Sequence, residues 1–256
     1  MRILILSDVH ANADALRALF AAAGSYDAAY CAGDLVDYGP QAAEAVELLR
    51  EKNVLCVRGN HDERVLRHAA YGEDEMPKKG ELAWADLCAR QLSPEQLRYL
   101  AELPAFRAFE ADGFRYLITH RVGEGYAMPE NQFLYKRFWK VCTGGEPTGV
   151  SRLILGHTHR RYVTDLGEGL TYLNPGSVSY RRMDDPDKCA LGMVIDGGKI
   201  EMLRVPYDRS RLAAMTEALR STLHPDEYYV GEYFFIKTEE ESPYPEYVKA
   251  YFDKME

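Results

Sequence analysis

The chain has no C-x-x-C cysteine pair, no apolar run long enough to cross a membrane and no surplus of positive charge. Each absence excludes something. The five cysteines, Cys31, Cys56, Cys88, Cys142 and Cys189, are odd in number, and several sit in apolar runs. They read as reduced, mostly buried thiols, not as a disulfide framework or a thiolate zinc site. The apolar run Ile3-Leu4-Ile5-Leu6 is too short for a secretory signal, and Ser7-Asp8-Val9-His10 follows it with no small-residue cleavage site. No stretch approaches the length of a membrane span. The expected setting is cytoplasmic, with no membrane partner. A net charge of −9 argues against broad binding to nucleic acid or to an anionic surface. A local basic pocket or bound cations would still admit an anionic small molecule.

What is present is an ordinary globular composition, 46% hydrophobic and 28% charged over 256 residues, enough for one domain spanning 1–256. Ile3 to Leu6 is an unbroken apolar run, as expected for a strand buried on both faces. A helix follows with Leu16, Leu19, Phe20 and Ala23 on one side, and Gly24 stops it. Ala28 to Ala32 reads as a second strand, residues from Ala42 to Leu49 as a second helix after Pro40, and Val54 to Val57 as a third strand. Two consecutive strand–helix–strand units predict a parallel sheet with right-handed crossovers. Residues 63–110 are charge-rich and read as a helical insertion, with Ser93 capping a helix that starts at Pro94. Phe114 to Thr119 and Arg152 to Leu155 are further strands, separated by a loop-rich aromatic segment, 121–150. Short strands near Leu170–Asn174 and Ala190–Ile195 and a hairpin through Asp196-Gly197-Gly198 suit a second sheet against the first. Residues 207–256 read as a C-terminal helix, then a tail in which Tyr228, Tyr229, Tyr233, Phe234 and Phe235 form an apolar docking strand and Glu239-Glu240-Glu241 is solvated.

The chemistry lies where these strands end. There the chain places Asp8 and His10, then Asp34, then Asn60 and His61, then His120, and last His157 and His159. Five of the seven histidines fall at such turns, leaving His68 and His224 elsewhere. A single histidine at a strand end is ordinary loop chemistry. Five, with two aspartates and an asparagine, make a donor set. Nitrogen and oxygen donors without thiolate suit manganese foremost, with iron, zinc or nickel as alternatives. About seven donors exceed what one ion needs, so two divalent transition-metal ions are expected.

The order Asp8-x-His10, Gly33-Asp34, Gly59-Asn60-His61-Asp62, His120, Gly156-His157-Thr158-His159 resembles the calcineurin-like metallophosphoesterases. Ser93-Pro94-Glu95-x-Leu97 and Asn174-Pro175-Gly176-Ser177-Val178 resemble a bacterial phosphodiesterase-like branch of that family. The likeness spans about residues 1–205. It implies an α+β fold, a four-layer α/β/β/α sandwich of two mixed sheets packed face to face with helices outside. It also implies a dinuclear site in which Asp8, His10 and His159 hold one ion, Asp34 bridges, and Asn60, His120 and His157 hold the other. His61 would be the acid at the leaving group, oriented by Asp34 or Asp62. The reaction implied is hydrolysis of a small phosphate ester, a monoester or diester, by a hydroxide shared between the ions. A different function on the same fold is a non-catalytic scaffold that binds a partner protein.

Asn12 and Arg58 are candidate substrate contacts or loop stabilisers. Arg121 departs from the small residue that commonly follows the family's equivalent of His120, so its guanidinium either reaches a substrate phosphate or narrows access. Arg181 and Arg182 are weaker phosphate candidates, and Asn174 is expected to fix a ligand loop.

Overall fold

Unbroken apolar strands form the middle of one sheet, and amphipathic helices cover it. In the computed structural model, which describes residues 1–71, 77–123, 125–179 and 188–237, β1 (Arg2–Leu6), β2 (Ala28–Cys31) and β3 (Leu55–Cys56) run parallel, linked by α1 (Ala13–Ala23) and α2 (Ala42–Glu51). Arg181, Arg182 and Glu239 to Glu241 lie outside the described residues. Three helices follow, α3 (Asn60–Ala69), α4 (Trp84–Gln91) and α5 (Pro94–Glu102). Ser93 caps α5 by accepting a hydrogen bond from Gln96 N at 3.2 Å, while the Gln96 side chain returns one from Ser93 N.

The second sheet is built from β4 (Phe106–Ala111), β5 (Phe114–Thr119), β6 (Val150–Ile154), β7 (Arg161–Asp165) and β8 (Leu170–Pro175), in the order β4-β5-β6-β8-β7. One helix, α6 (Gln132–Thr143), packs on its outer face through Tyr135 and Trp139. The hairpin β9 (Cys189–Asp196) and β10 (Lys199–Pro206) then returns to the first sheet, where β9 pairs antiparallel with β1 and the order is β10-β9-β1-β2-β3. Helices α7 (Ser210–Ala218) and α8 (Pro225–Gly231) and a π-helical turn, Glu232–Ile236, complete the described chain.

The two sheets face each other. Ile3, Ile5, Tyr30 and Met193 of the first pack on Tyr116, Ile118, Ile154 and Leu173 of the second. Tyr30 stacks on Phe109 at 4.0 Å, and Phe109 on Tyr116 at 4.7 Å, so an aromatic column pins one sheet to the other. Leu4, Leu6, Leu16, Leu19 and Leu49 fill the layer between the first sheet and its helices. Each such side chain contributes roughly 1.5–3 kcal/mol when fully buried. The result is the four-layer α/β/β/α sandwich, with the carboxyl ends of β1, β2, β5 and β6 gathered at one rim.

Several sequence expectations change. The supposed insertion 63–110 ends in a strand, β4, and its first helix starts at Asn60. Segment 121–150 contains a helix, α6, and the edge strand β7 is an addition. The hairpin after Asp196 belongs to the first sheet, not the second. Tyr228, Tyr229, Tyr233 and Phe235 lie on α8 and the π turn, not on a docking strand. Pro225 at the first helical position and His224 as cap decide for helix there. Among the described residues no helix is long and apolar enough to cross a membrane.

Candidate metal centre

Each donor is delivered by a tight turn at a strand end, and the turns are strained. Among the described residues eleven non-glycine positions have positive φ, and eight of these, Asp8, His10, Ala11, Asp34, Asp37, Tyr38, His157 and His159, sit in the rim loops. Each costs of order 1–3 kcal/mol, so the sandwich beneath must hold the loops in place. Backbone bonds do part of this: Asp8 N donates to Gly33 O at 2.9 Å and His10 N to Asp34 O at 3.0 Å. Gly59 and Gly156 are required for room. A methyl at Gly59 would strike the Asp34 carboxylate, and one at Gly156 would strike Ser7 Oγ.

The turns bring two donor groups together, Asp8 with His10 and His159, and Asp34 with His120 and His157. In the first, His159 Nε2 lies 3.2 Å from His10 Nε2 and 3.2 Å from Asp8 Oδ1. In the second, His120 Nε2 lies 3.1 Å from Asp34 Oδ2 and 2.9 Å from Asn60 Oδ1. Donors bound to one ion at about 2.1 Å stand roughly 3.0–3.4 Å apart in octahedral or tetrahedral geometry. The observed spacings match. His120 Nδ1 lies 2.8 Å from Ala32 O, to which it donates, so Nε2 faces the group. Asp34 Oδ2 is fully buried and faces His120 Nε2. A buried carboxylate oxygen beside an imidazole turned by its far nitrogen fits a cation. The residues therefore suit two divalent ions.

Electrostatics separates the groups. Burial, with the His61 charge, pulls the His10 imidazole down to about 3. Burial, with the His120 charge, likewise takes His157 down to about 4. Burial also opposes the charge on His120, but Asp34 overcomes it and raises that imidazole to about 9. Asp34 is held well below the carboxylate range; burial works against this, and the His120 and His61 charges win.

His61 stands beside the groups, in neither. Its ring lies 5.1 Å from that of His10 and 4.7 Å from that of Tyr38. Its Nδ1 is 2.8 Å from Asp37 Oδ2, which leaves Nε2 for the site. Burial disfavours the imidazolium, yet Asp34 and Asp37 together raise its pKa. Arg64 steadies Asp37 at 3.1 Å and reaches Glu227 on α8, also at 3.1 Å. The carboxylate that meets the His61 ring is thus Asp37. Asp34 Oδ1 instead accepts from His61 N at 2.8 Å. Asp62 turns away and takes four backbone N–H bonds, from Gly59, Asp34, Leu35 and Val36, tying the Asp34 loop to the start of α3. Burial and the Asp34 charge nevertheless push its acid up to about 7.

The substrate candidates fare unevenly. Asn12 is the cap of α1: Oδ1 accepts from Ala15 N at 3.0 Å, and Nδ2 donates to Ser179 Oγ and Tyr207 OH. No hydrogen of its amide is left for a substrate. Arg58 donates to Ala101 O at 2.9 Å near the end of α5 and pairs with Glu63. Arg121 is exposed directly after His120. Asn174 donates to Gly156 O at 2.7 Å and Thr158 Oγ1 at 3.1 Å, gripping the loop that carries His157 and His159. Sequence reasoning overlooked Asp37 and Arg64, and placed Tyr126 only in the aromatic segment 121–150. Asp37 had a signal, three positions after Asp34 in the same loop. Tyr126 stacks on His157 at 5.0 Å while 54% exposed, which no local pattern announces.

Comparison with known proteins agrees with this geometry. Residues 1–197 match the family model for the calcineurin-like phosphoesterase superfamily domain. An uncharacterized protein of Methanocaldococcus jannaschii, MJ0912, is 29% identical over 225 residues, covering 80% of this chain and 88% of that protein. A metallophosphoesterase from Sphaerobacter thermophilus shares the fold with a TM-score of 0.66 at 24% identity, over 90% of this chain and 100% of that one. The hypothetical protein PH1004 from Pyrococcus horikoshii OT3 does so with a TM-score of 0.70 at 16% identity, over 91% of this chain and 98% of its own. With the matched model covering most of its length, the chain belongs to the calcineurin-like phosphoesterase superfamily.

Proposed function

We propose that the protein is a metal-dependent phosphoesterase that hydrolyses a small phosphomonoester or phosphodiester. The observation that carries this reading is the pairing of two carboxylate–imidazole groups with a third element, an imidazole outside both and held by its own carboxylate. A scaffold that only stored ions would have no use for the His61–Asp37 pair. Asp8, His10 and His159 would hold one ion; His120, His157 and Asn60 would hold the other, with Asp34 shared. When bound, such ions supply an activated water and offset the charge of the phosphoryl oxygens. Manganese is the assignment, since imidazole, carboxylate and amide donors without thiolate suit it.

The chain's own residues do the rest. Asp37 fixes the His61 tautomer with the proton on Nδ1, so Nε2 of the imidazolium points its hydrogen into the site. That proton passes to the departing alkoxide oxygen as the phosphorus–oxygen bond breaks, sparing the site a poor leaving group. Asp62 fixes the Asp34 turn, keeping the carboxylate and His61 in register. The net charge of −9 favours a small ester over a nucleic acid. The free thiols Cys31, Cys56, Cys88, Cys142 and Cys189 support a cytoplasmic location.

The test is hydrolysis of p-nitrophenyl phosphate and of bis-p-nitrophenyl phosphate with Mn²⁺. His61→Gln should lower kcat about 10²–10⁴-fold with metal content unaltered. Full metal occupancy with no turnover of any ester would favour the scaffold, and full activity in His61→Gln would remove the proton-donor role.

A further inference from the structure

The family match ends at residue 197, yet part of the site's wall comes from beyond it. Phe235, on the π turn, is only 2% exposed and packs its ring against His10 at 5.5 Å and Tyr38 at 5.4 Å. Those are the two rings that flank His61. With Nδ1 of His61 taken by Asp37, a leaving oxygen must sit at Nε2, in the niche those rings border. Phe235 backs those two rings. The Lys188 ammonium lies 5.3 Å from the Phe235 ring and holds it in place.

The segment bearing Phe235 is firmly anchored. Trp84 donates through Nε1 to Glu227 O at 2.7 Å and through its backbone N to Glu227 Oε2 at 3.1 Å. Gly231 lies flat on the same indole, too close for any side chain. Arg209 donates to Ile236 O, and Lys237 pairs with Glu232 at 2.7 Å. Glu227 also meets Arg64, which supports Asp37, so one network holds both the proton donor and the wall behind it.

The exposures point the same way. His10 is fully buried, whereas the His61 and His159 side chains are 17% and 13% exposed, and Tyr126, stacked on His157, is 54% exposed. Space is therefore closed on the Phe235 side and open on the Tyr126 side.

We propose that Phe235 is a positioning residue that limits leaving-group size: by backing Tyr38 and His10 it keeps the niche at His61 narrow, so the site favours phosphate esters of small alcohols or phenols. This rests on the phosphoesterase reading above. Removing the ring gives Tyr38 room to recede, which admits bulk that the native niche rejects.

The experiment compares phenyl phosphate with 1-naphthyl phosphate, whose leaving groups are alike in chemistry and differ in size, for Mn²⁺-loaded wild type, Phe235→Leu and Phe235→Ala. In parallel, calorimetry measures binding of phenylphosphonate and 1-naphthylphosphonate, each normalised to inorganic phosphate. Wild type should prefer the phenyl member in both. Phe235→Ala should shift the kcat/KM ratio and the phosphonate Kd ratio toward naphthyl by at least about tenfold, with Phe235→Leu between. A purely structural role would lower both members equally, and that result, or an unshifted ratio, overturns the proposal. If Phe235→Ala fails to fold, Phe235→Leu and Phe235→Met carry the same readout. If no ester is turned over but the phosphonate ratio shifts, the hydrolase reading fails and the wall stands; hydrolysis with an unshifted ratio gives the converse.

Discussion

The two donor groups are built from the same parts, one carboxylate and two imidazoles, and they are assembled differently. In the first, Asp8 and His10 come from one turn after β1, and only His159 is brought from afar. In the second, Asp34, His120 and His157 each follow a different strand, and Asn60 comes from the start of α3. The first takes two of its donors from one turn, the second takes each from a different turn, and both need the two sheets packed. Their charge states differ as well. His10 is pulled down to about 3 by burial and the His61 charge, so it is neutral before any ion arrives. His120 is raised to about 9 because Asp34 outweighs its burial, so it carries a proton that an ion must displace. Similar composition does not give similar binding behaviour.

The most severe way to break the comparison is Asp34→Asn. This removes the charge that raises His120 and one carboxylate oxygen of the second group. Metal content should fall from two ions to one, read by elemental analysis, and ester hydrolysis should drop on the order of 10³-fold or more. Two ions retained by Asp34→Asn would show that this carboxylate is not the shared ligand.

A gentler probe is pH. With His120 protonated below about pH 9, the second ion competes with a proton, and its affinity should rise about tenfold per pH unit from pH 6 to 8. The sign follows from the raised pKa: protons leave as pH climbs, and the ligand becomes available. His10, already neutral above about pH 3, adds no such slope to the first ion. Calorimetry in buffers of different ionisation enthalpy would count the proton released. Equal slopes for both ions would contradict the distinction between the groups.

Smaller still is the effect of Asp37→Asn, which touches neither group and tests the residue beside them. His61 is raised by Asp34 and Asp37 against its burial, so its acid form persists above its usual range, and activity should decline as pH rises through that raised value. Without the Asp37 charge the decline begins at lower pH. The loss relative to wild type should therefore be small at low pH and grow as pH rises. A uniform loss at every pH would assign Asp37 a structural role only.

The same contrast between local and distant explains what could be read in advance. The units from β1 to β3 were legible because their apolar runs are unbroken and their helices keep one apolar side. Helix α6 was hidden because Tyr135 and Trp139 face inward while Phe133 and Val141 face solvent, which blurs its periodicity. Strand β7 alternates exposed and half-buried residues on a sheet edge, a pattern shared with loops. In the site, the donor residues were legible because their types recur at strand ends. Asn12 stayed open between substrate contact and loop stabiliser, although its place just before α1 is a capping position. The wall at Phe235 was beyond reach, since only packing brings residue 235 to residue 10.

The mildest perturbation acts on both groups at once. Loop 156–159 supplies His157 to one group and His159 to the other, and Asn174 holds it through Gly156 O and Thr158 Oγ1. Its own Oδ1 accepts from Gly176 N at 2.8 Å, so the amide ties β8 to the loop after β6. Asn174→Ala removes these bonds without removing a donor. A buried hydrogen bond contributes about 1 kcal/mol net, so each ion should bind about fivefold more weakly. The loss should be similar for both, because the loop moves as a unit. If only one ion loosened, His157 and His159 would be held by separate constraints, and the grip of Asn174 on the loop would not be what aligns them.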